Sequence, residues 1–270
     1  MECKFTLFVC TGSLLLLSAC NNHIYVPNTV NEPLLKEKHE FKGSVSPSNF
    51  QAAFALTKNV AIMANGQYVY PLVTTKEEDD LDLFTDDDTR GGVIEGALGF
   101  FQPLDTKKRM VFDVYAGYGN GSFKTLSSNY DNATNPVVND YLLRTHFNKY
   151  FIQPGIGLSH PVIEAAFTSR FTLLNFYSLY AGSKAFENDP DRKANYMRLG
   201  AKTLPFFEPA FTFRVGYKYV KCQMQLQFSA LLNDEKYSGY DINEYFQPVA
   251  FNMGVSVNIA HWYDDFRKRR

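Results

Sequence analysis

Cysteine is scarce where it would matter. Beyond residue 20 the 270-residue chain holds a single one, Cys222. That rules out a disulfide framework in this stretch, and with it Cys-rich zinc and iron-sulfur sites, which need several thiolates together. Long apolar runs are also missing: outside the N-terminus none reaches the roughly 18 residues that a membrane-spanning helix requires. Any insertion into a membrane must therefore use a β-barrel or a lipid. Charge of either sign is not in excess, with 27 Lys and Arg against 28 Asp and Glu, so nucleic acid is not expected as a partner. Aromatic residues are abundant instead. The chain has 24 Phe and 17 Tyr beside one Trp, a composition that favours strands over helices.

Residues 1–19 place Lys4 ahead of an apolar core from Phe5 to Leu17, then the small residues Ser18 and Ala19 before Cys20. This is the layout of a secretory signal. The tetrad Leu17-Ser18-Ala19-Cys20 resembles a bacterial lipobox, which implies that Cys20 becomes the first residue of the mature chain and carries a covalent palmitate-type lipid, with no other cofactor. The alternative is an ordinary signal with a chance cysteine, which would put a small residue at the cleavage edge. On the lipobox reading Cys3 and Cys10 leave with the leader, and no intrachain disulfide can form. Cys222 then sits alone on an apolar strand face as a small hydrophobe.

Residues 20–48 carry Pro27, Pro33 and Pro47, a charged patch from Lys36 to Glu40, and no sustained apolar period. They read as a lipidated tether or irregular arm. Period-two alternation follows. In 210–219, Phe211, Phe213, Val215, Tyr217 and Tyr219 oppose Thr212, Arg214, Gly216 and Lys218; in 222–230, Met224, Leu226 and Phe228 oppose Gln223, Gln225 and Gln227. Segment 251–260 alternates likewise, and noisier versions occur at 49–57, 60–71, 91–101, 109–119, 147–158 and 166–180.

Alternation alone does not say which face points inward, since a lipocalin-like barrel is apolar inside and a membrane barrel apolar outside. The polar positions are mostly Gln, Asn, Ser, Thr, Gly and Ala rather than the Lys and Glu of a solvated face, which favours a narrow polar lumen. Aromatics gather near strand ends, at Tyr68, Tyr70, Tyr118, Tyr150, Tyr177, Tyr180, Phe206, Phe207, Trp262 and Tyr263, as an interfacial girdle would. Short links alternate with long ones near 74–90, 120–146, 181–205 and 232–247, the pattern of short periplasmic turns and long external loops. The expected fold is all-β, an antiparallel transmembrane β-barrel of about 8–10 strands spanning 49–262 after the arm, with a charged tail at 263–270. Nine strands are legible, an odd count for a bacterial barrel. Either a strand is hidden in 195–204 or in the arm, or the N-terminus begins on the outer face.

With its lipobox, its "YVPNTVNEPLL" arm and this aromatic-rich pattern, the chain resembles outer-membrane β-barrel lipoproteins of Bacteroidota-type bacteria. The resemblance implies an outer-membrane location, lipid-anchored and membrane-inserted, with outer-membrane lipids and other outer-membrane proteins as partners. The acidic residues that follow the cysteine in some surface lipoproteins of that group are absent, since Asn21, Asn22 and His23 stand there.

Chemistry is sparse. The polar face holds Glu95, Asp113 and Glu208 against Lys149, Arg170, Arg214 and Lys218, which in a small barrel would pair in a lumen charge network, because an unpaired buried charge costs several kcal/mol. About eight strands leave an interior that side chains fill, so a plugged lumen is expected over a conducting pore. Segment 76–90 contains eight acidic residues but lacks the spacing of a calcium loop. Ser159 and His160 are adjacent, yet catalytic partners are defined by geometry, and no G-x-S-x-G elbow exists. No catalytic or metal site is expected. The role that fits is structural or accessory, as in a subunit of a larger outer-membrane complex; the alternatives are a small channel or ligand-binding barrel and, further off, a lipid-modifying enzyme.

Overall fold

The computed structural model describes residues 23–70, 89–131, 134, 137–233 and 236–259. Cys20, residues 1–19 expected as a leader, the acidic-rich stretch 76–88, Trp262 and the expected tail 263–270, Tyr263 included, lie outside them. Among the described residues thirteen strands are present: β1 (Phe41–Val45), β2 (Asn49–Ala55), β3 (Val60–Val69), β4 (Arg90–Pro103), β5 (Met110–Leu126), β6 (Leu142–Ser159), β7 (Ile163–Ala181), β8 (Thr203–Tyr217), β9 (Val220–Phe228), the two-residue β10 (Ala230–Leu231), β11 (Lys236–Tyr237) and β12 (Tyr240–Asp241), and β13 (Val249–Asn258). Strands β1 to β9 pair in sequence, and β13 joins β9 to β1, closing a ten-stranded antiparallel barrel.

The period-two pattern dictates which side chains enter the lumen. Along β8, Phe211 and Phe213 are exposed while Thr212 and Arg214 are buried, and along β9 Gln223, Gln225 and Gln227 are at most 2% exposed. The barrel is therefore apolar outside and polar inside. Tyr68, Tyr70, Tyr118, Tyr150, Tyr177 and Tyr180 face outward, with Tyr118 and Tyr150 opposite one another across β5 and β6. Phe206 departs from the girdle expected of it. It is buried, because its parity on β8 turns it into the lumen beside Glu208.

The hidden strand lies in the arm. β1 pairs Lys42 with both Ala53 and Asn258, which makes the count even. Segment 195–204 is not a complete strand. It begins within helix α1 (Pro190–Arg198), where Asp189 caps the N-terminus by accepting from the Arg192 amide at 2.9 Å. The Tyr240 hydroxyl, and after it that amide, lower the pKa of the Asp189 carboxyl from its ordinary value by hydrogen-bonding its charged form. β8 starts at Thr203, earlier than its alternation suggests, since Pro205 and Pro209 interrupt the donor ladder that marks a strand.

Links 56–59, 104–109, 160–162 and 218–219 gather at one end of the barrel. The strand ends that bracket the long connections 70–89, 127–141, 182–202 and 229–248 lie at the other, together with the short link 46–48. At the long-loop end an aromatic cap, formed by Phe186 and Tyr196 with Ile242, Tyr245 and Phe246, packs onto Phe123, Phe147, Phe176 and Phe206 of the wall.

Within the segment expected as a tether or irregular arm, the irregular stretch from Ile24 to Leu35 is the barrel's plug. Residues Ile24 to Leu35 are all buried, entering beside Tyr245 at the long-loop end and leaving beside Ser159 at the short-turn end, where β1 begins. Small residues make room for it. Inward-facing Gly99 lies under the Tyr115 ring, which packs with Leu35, Ala55 and Ala61. Gly99→Val should force that ring into the plug and cost about 1–3 kcal/mol, read as a lower urea midpoint of the heat-modifiable folded band; an unchanged midpoint would show that Tyr115 has room to move.

Candidate functional site

The site the fold builds is the lumen around the arm. An extended chain that joins no sheet must find a hydrogen-bond partner for each buried peptide group, and lumen side chains supply many of them. Gln67 accepts from the Thr29 amide at 3.1 Å, and Gln225 both accepts from the Val30 amide and donates to its carbonyl at 2.8 Å. Gln51 donates to the same carbonyl at 3.1 Å, and Gln153 donates to the Asn31 carbonyl at 2.7 Å. Arg214 Nη2 donates to the Glu32 carbonyl at 2.6 Å, and Lys42 Nζ to that of Leu34 at 3.1 Å. On β9 it is Gln225 that bonds the buried backbone, while its neighbour on the same face, Gln223, accepts from Arg214 Nε at 2.7 Å and donates to Gln51 at 3.4 Å.

The charges expected in the lumen divide into clusters. In the upper one Glu95 meets Lys149 at 2.7 Å and Arg170 at 3.4 Å, and Lys149 lies 3.8 Å from Glu208, all four side chains fully buried. Tyr25 of the arm joins them, its hydroxyl donating to Glu208 at 2.9 Å and accepting from Lys149 at 3.1 Å. Nearer the short-turn end, Arg214 contacts Glu164 at 3.1 Å, and Lys221 and Lys42 approach the same carboxylate at 2.8 and 3.3 Å. Between the clusters Asp113 sits carboxyl to carboxyl with Glu32, and Thr168 donates to Glu32. Lys218 lies beyond the wall rather than within the lumen: β8 ends at Tyr217, and Lys218 is exposed in the turn that follows, at the mouth where Lys221 and Glu164 also line a cavity.

Sequence reading missed Tyr25, Glu32, Lys42, Glu164 and Lys221. Two of them had a signal. Lys221 shares the parity of Gln223, Gln225 and Gln227, and Glu164 that of Thr168 and Arg170, so each strand pattern needed only to run further toward its turn. Tyr25, Glu32 and Lys42 lie in a segment without periodicity.

Ser159 and His160 do not form a catalytic pair. Ser159 is buried and donates to Glu164 at 3.1 Å, whereas His160 Nδ1 accepts from the Val162 amide at 3.3 Å.

Two cavities adjoin the plug. Because β1 and β2 are short, the wall is low between β3 and β13 at the long-loop end, and a mostly apolar cavity of about 340 Å³ lies there against Val26, Pro27, Val69, Tyr70, Phe251 and Met253. At the short-turn end a cavity of about 350 Å³ is lined by Lys36, Lys42, Lys107, Lys108, Lys218 and Lys221, with Glu37 and Glu164 the acidic residues among its walls. In comparison with known proteins, no family model matches the chain and no curated protein matches it in sequence.

Removing one partner of a buried ion pair leaves the others uncompensated. Glu164→Gln strands three cations and should cost about 3–5 kcal/mol, whereas Lys108→Ala breaks an exposed contact to Glu37 at 3.4 Å and should cost under about 1 kcal/mol. Urea midpoints of the two variants check the contrast, and equal losses would mean that the lumen cluster is as well solvated as the surface.

Proposed function

We propose that this chain is an outer-membrane β-barrel lipoprotein, anchored through an acylated Cys20 as well as by its barrel, with a structural or accessory role within a larger assembly and no catalytic activity. The observation that carries this reading is the filled lumen: the arm from Ile24 to Leu35 lies buried inside a wall whose outer face is apolar. A lumen that holds its own chain, bonded to the wall at many points, favours a closed barrel over a conducting pore, and the cavities beside the plug lie at its two ends. An apolar exterior with an outward tyrosine set is what a bilayer requires of a barrel. The functional surface is then the cap at the long-loop end, where α1 and segment 236–246 meet, and other outer-membrane proteins are its expected partners.

Purified protein in planar bilayers should give no steady single-channel steps, and such steps from the intact chain would sink the filled-lumen reading. Affinity purification in mild detergent should bring down stoichiometric outer-membrane partners; a protein recovered alone counts against the accessory role.

A second reading, a ligand-binding barrel, is favoured by one observation, the apolar cavity between β3 and β13 that adjoins the outward apolar face. Its occupant would be an acyl chain. Ala250→Trp would fill that cavity, and loss of co-purifying lipid in native mass spectra relative to the unmodified protein would support this reading, whereas identical spectra would remove it.

A further inference from the structure

We infer that the lipid on Cys20 sits in the leaflet beside the long loops, the external one, because the N-terminal arm crosses the membrane through the lumen of its own barrel. This rests on the reading of Cys20 as acylated and of the long loops as external.

The arm runs from the long-loop end of the barrel to the short-turn end. At its upstream end the His23 carbonyl accepts from Thr89 Oγ1 at 3.1 Å and the Ile24 carbonyl from Thr145 Oγ1 at 3.0 Å, while the Ile24 amide donates to the Tyr245 carbonyl at 2.9 Å. Thr89 immediately precedes β4, Thr145 is near the start of β6 and Tyr245 lies just ahead of β13, so all three belong to the long-loop end. Midway, Asn31 donates to Asn65 at 2.9 Å. At the downstream end Lys36 Nζ donates to the Ser159 carbonyl at 3.0 Å, where β6 ends in a short turn. The chain then turns through His39, whose φ of 64° is left-handed, and enters β1 from the short-turn end.

Chain reach decides the leaflet. Cys20 precedes Ile24 by four residues, and four residues extend at most about 14 Å. The apolar band of a membrane barrel is about 25 Å tall. With Ile24 held at the long-loop rim, acyl chains on Cys20 cannot enter the leaflet at the opposite end. The missing strand in the arm and an N-terminus on the outer face, which the sequence presents as alternatives, are therefore both true. The extra strand makes the barrel even, and the passage of the arm through the lumen still returns the N-terminus to the side of the long loops.

The test uses the full-length protein expressed in cells fed an alkyne palmitate, with a protease recognition sequence placed between Asn22 and His23. Protease added to intact cells should remove the lipid label from the barrel band. Label that is lost only after the outer membrane is permeabilised would overturn the inference, and a protein that never acquires label would overturn the acylation of Cys20 itself. Where the insertion prevents a heat-modifiable folded band, His23→Cys in a Cys222→Ser background takes its place, probed on intact cells with a membrane-impermeant maleimide. Labelling of His23→Cys alongside Val137→Cys, with Lys107→Cys protected, supports the inference. Protection of His23→Cys while Val137→Cys labels overturns it, and labelling of Lys107→Cys instead of Val137→Cys overturns the orientation of the long loops.

Discussion

A buried backbone that belongs to no sheet is the constraint on which the rest of this molecule depends. Each peptide group of the arm taken out of water without a partner would cost about 1–3 kcal/mol, and across a dozen residues that would exceed the whole stability of an ordinary domain. The lumen answers with side-chain amides. Glutamine both donates and accepts from one flexible stem, so Gln225 can bond the amide and the carbonyl of Val30 together. A barrel lined by Val and Leu could hold an apolar helix, but it could not hold this chain.

The charges follow from the same requirement. Lys149 and Arg170 lie where water is excluded, and they are sustained by Glu95, Glu208 and the Tyr25 hydroxyl in a connected set rather than in isolated pairs. Part of that set comes from the arm. Without Tyr25, Glu208 would lose a donor and Lys149 an acceptor, so plug and wall are satisfied only together. The arm lies inside a wall closed by the pairing of β13 with β1, strands at the two ends of the barrel sequence. Such closure joins the most distant parts of the chain, and contacts of that kind are slow to form.

How much of this was legible follows from where a side chain's environment repeats. Strands β8, β9 and β13 show one apolar and one polar face, and their composition already favoured a polar lumen. Among the noisier strands β2 and β3 were read slightly too long, whereas β5, β6 and β7 were recognised only in part: β5 runs on past Gly119 through Gly121, where an inward position carries no side chain to mark the period. β1 was missed because five residues containing Lys42, Gly43 and Ser44 hold too few apolar side chains to register as a strand. Of the lumen charges, those inside clear alternation were assigned to the polar face from the sequence. Lys218 was misplaced because parity continues past the residue where the strand stops.

The sequence by itself determined the all-β class, the alternation of short and long connections, and the residue types of the two faces, because each depends only on spacing along one strand. Only the tertiary structure decided that the proline-rich arm is the content of the barrel rather than a tether, and which end of the barrel its N-terminus meets. The reason is physical: an irregular segment has no period, and its conformation is set by partners such as Gln225 and Glu208, roughly two hundred residues away in the chain.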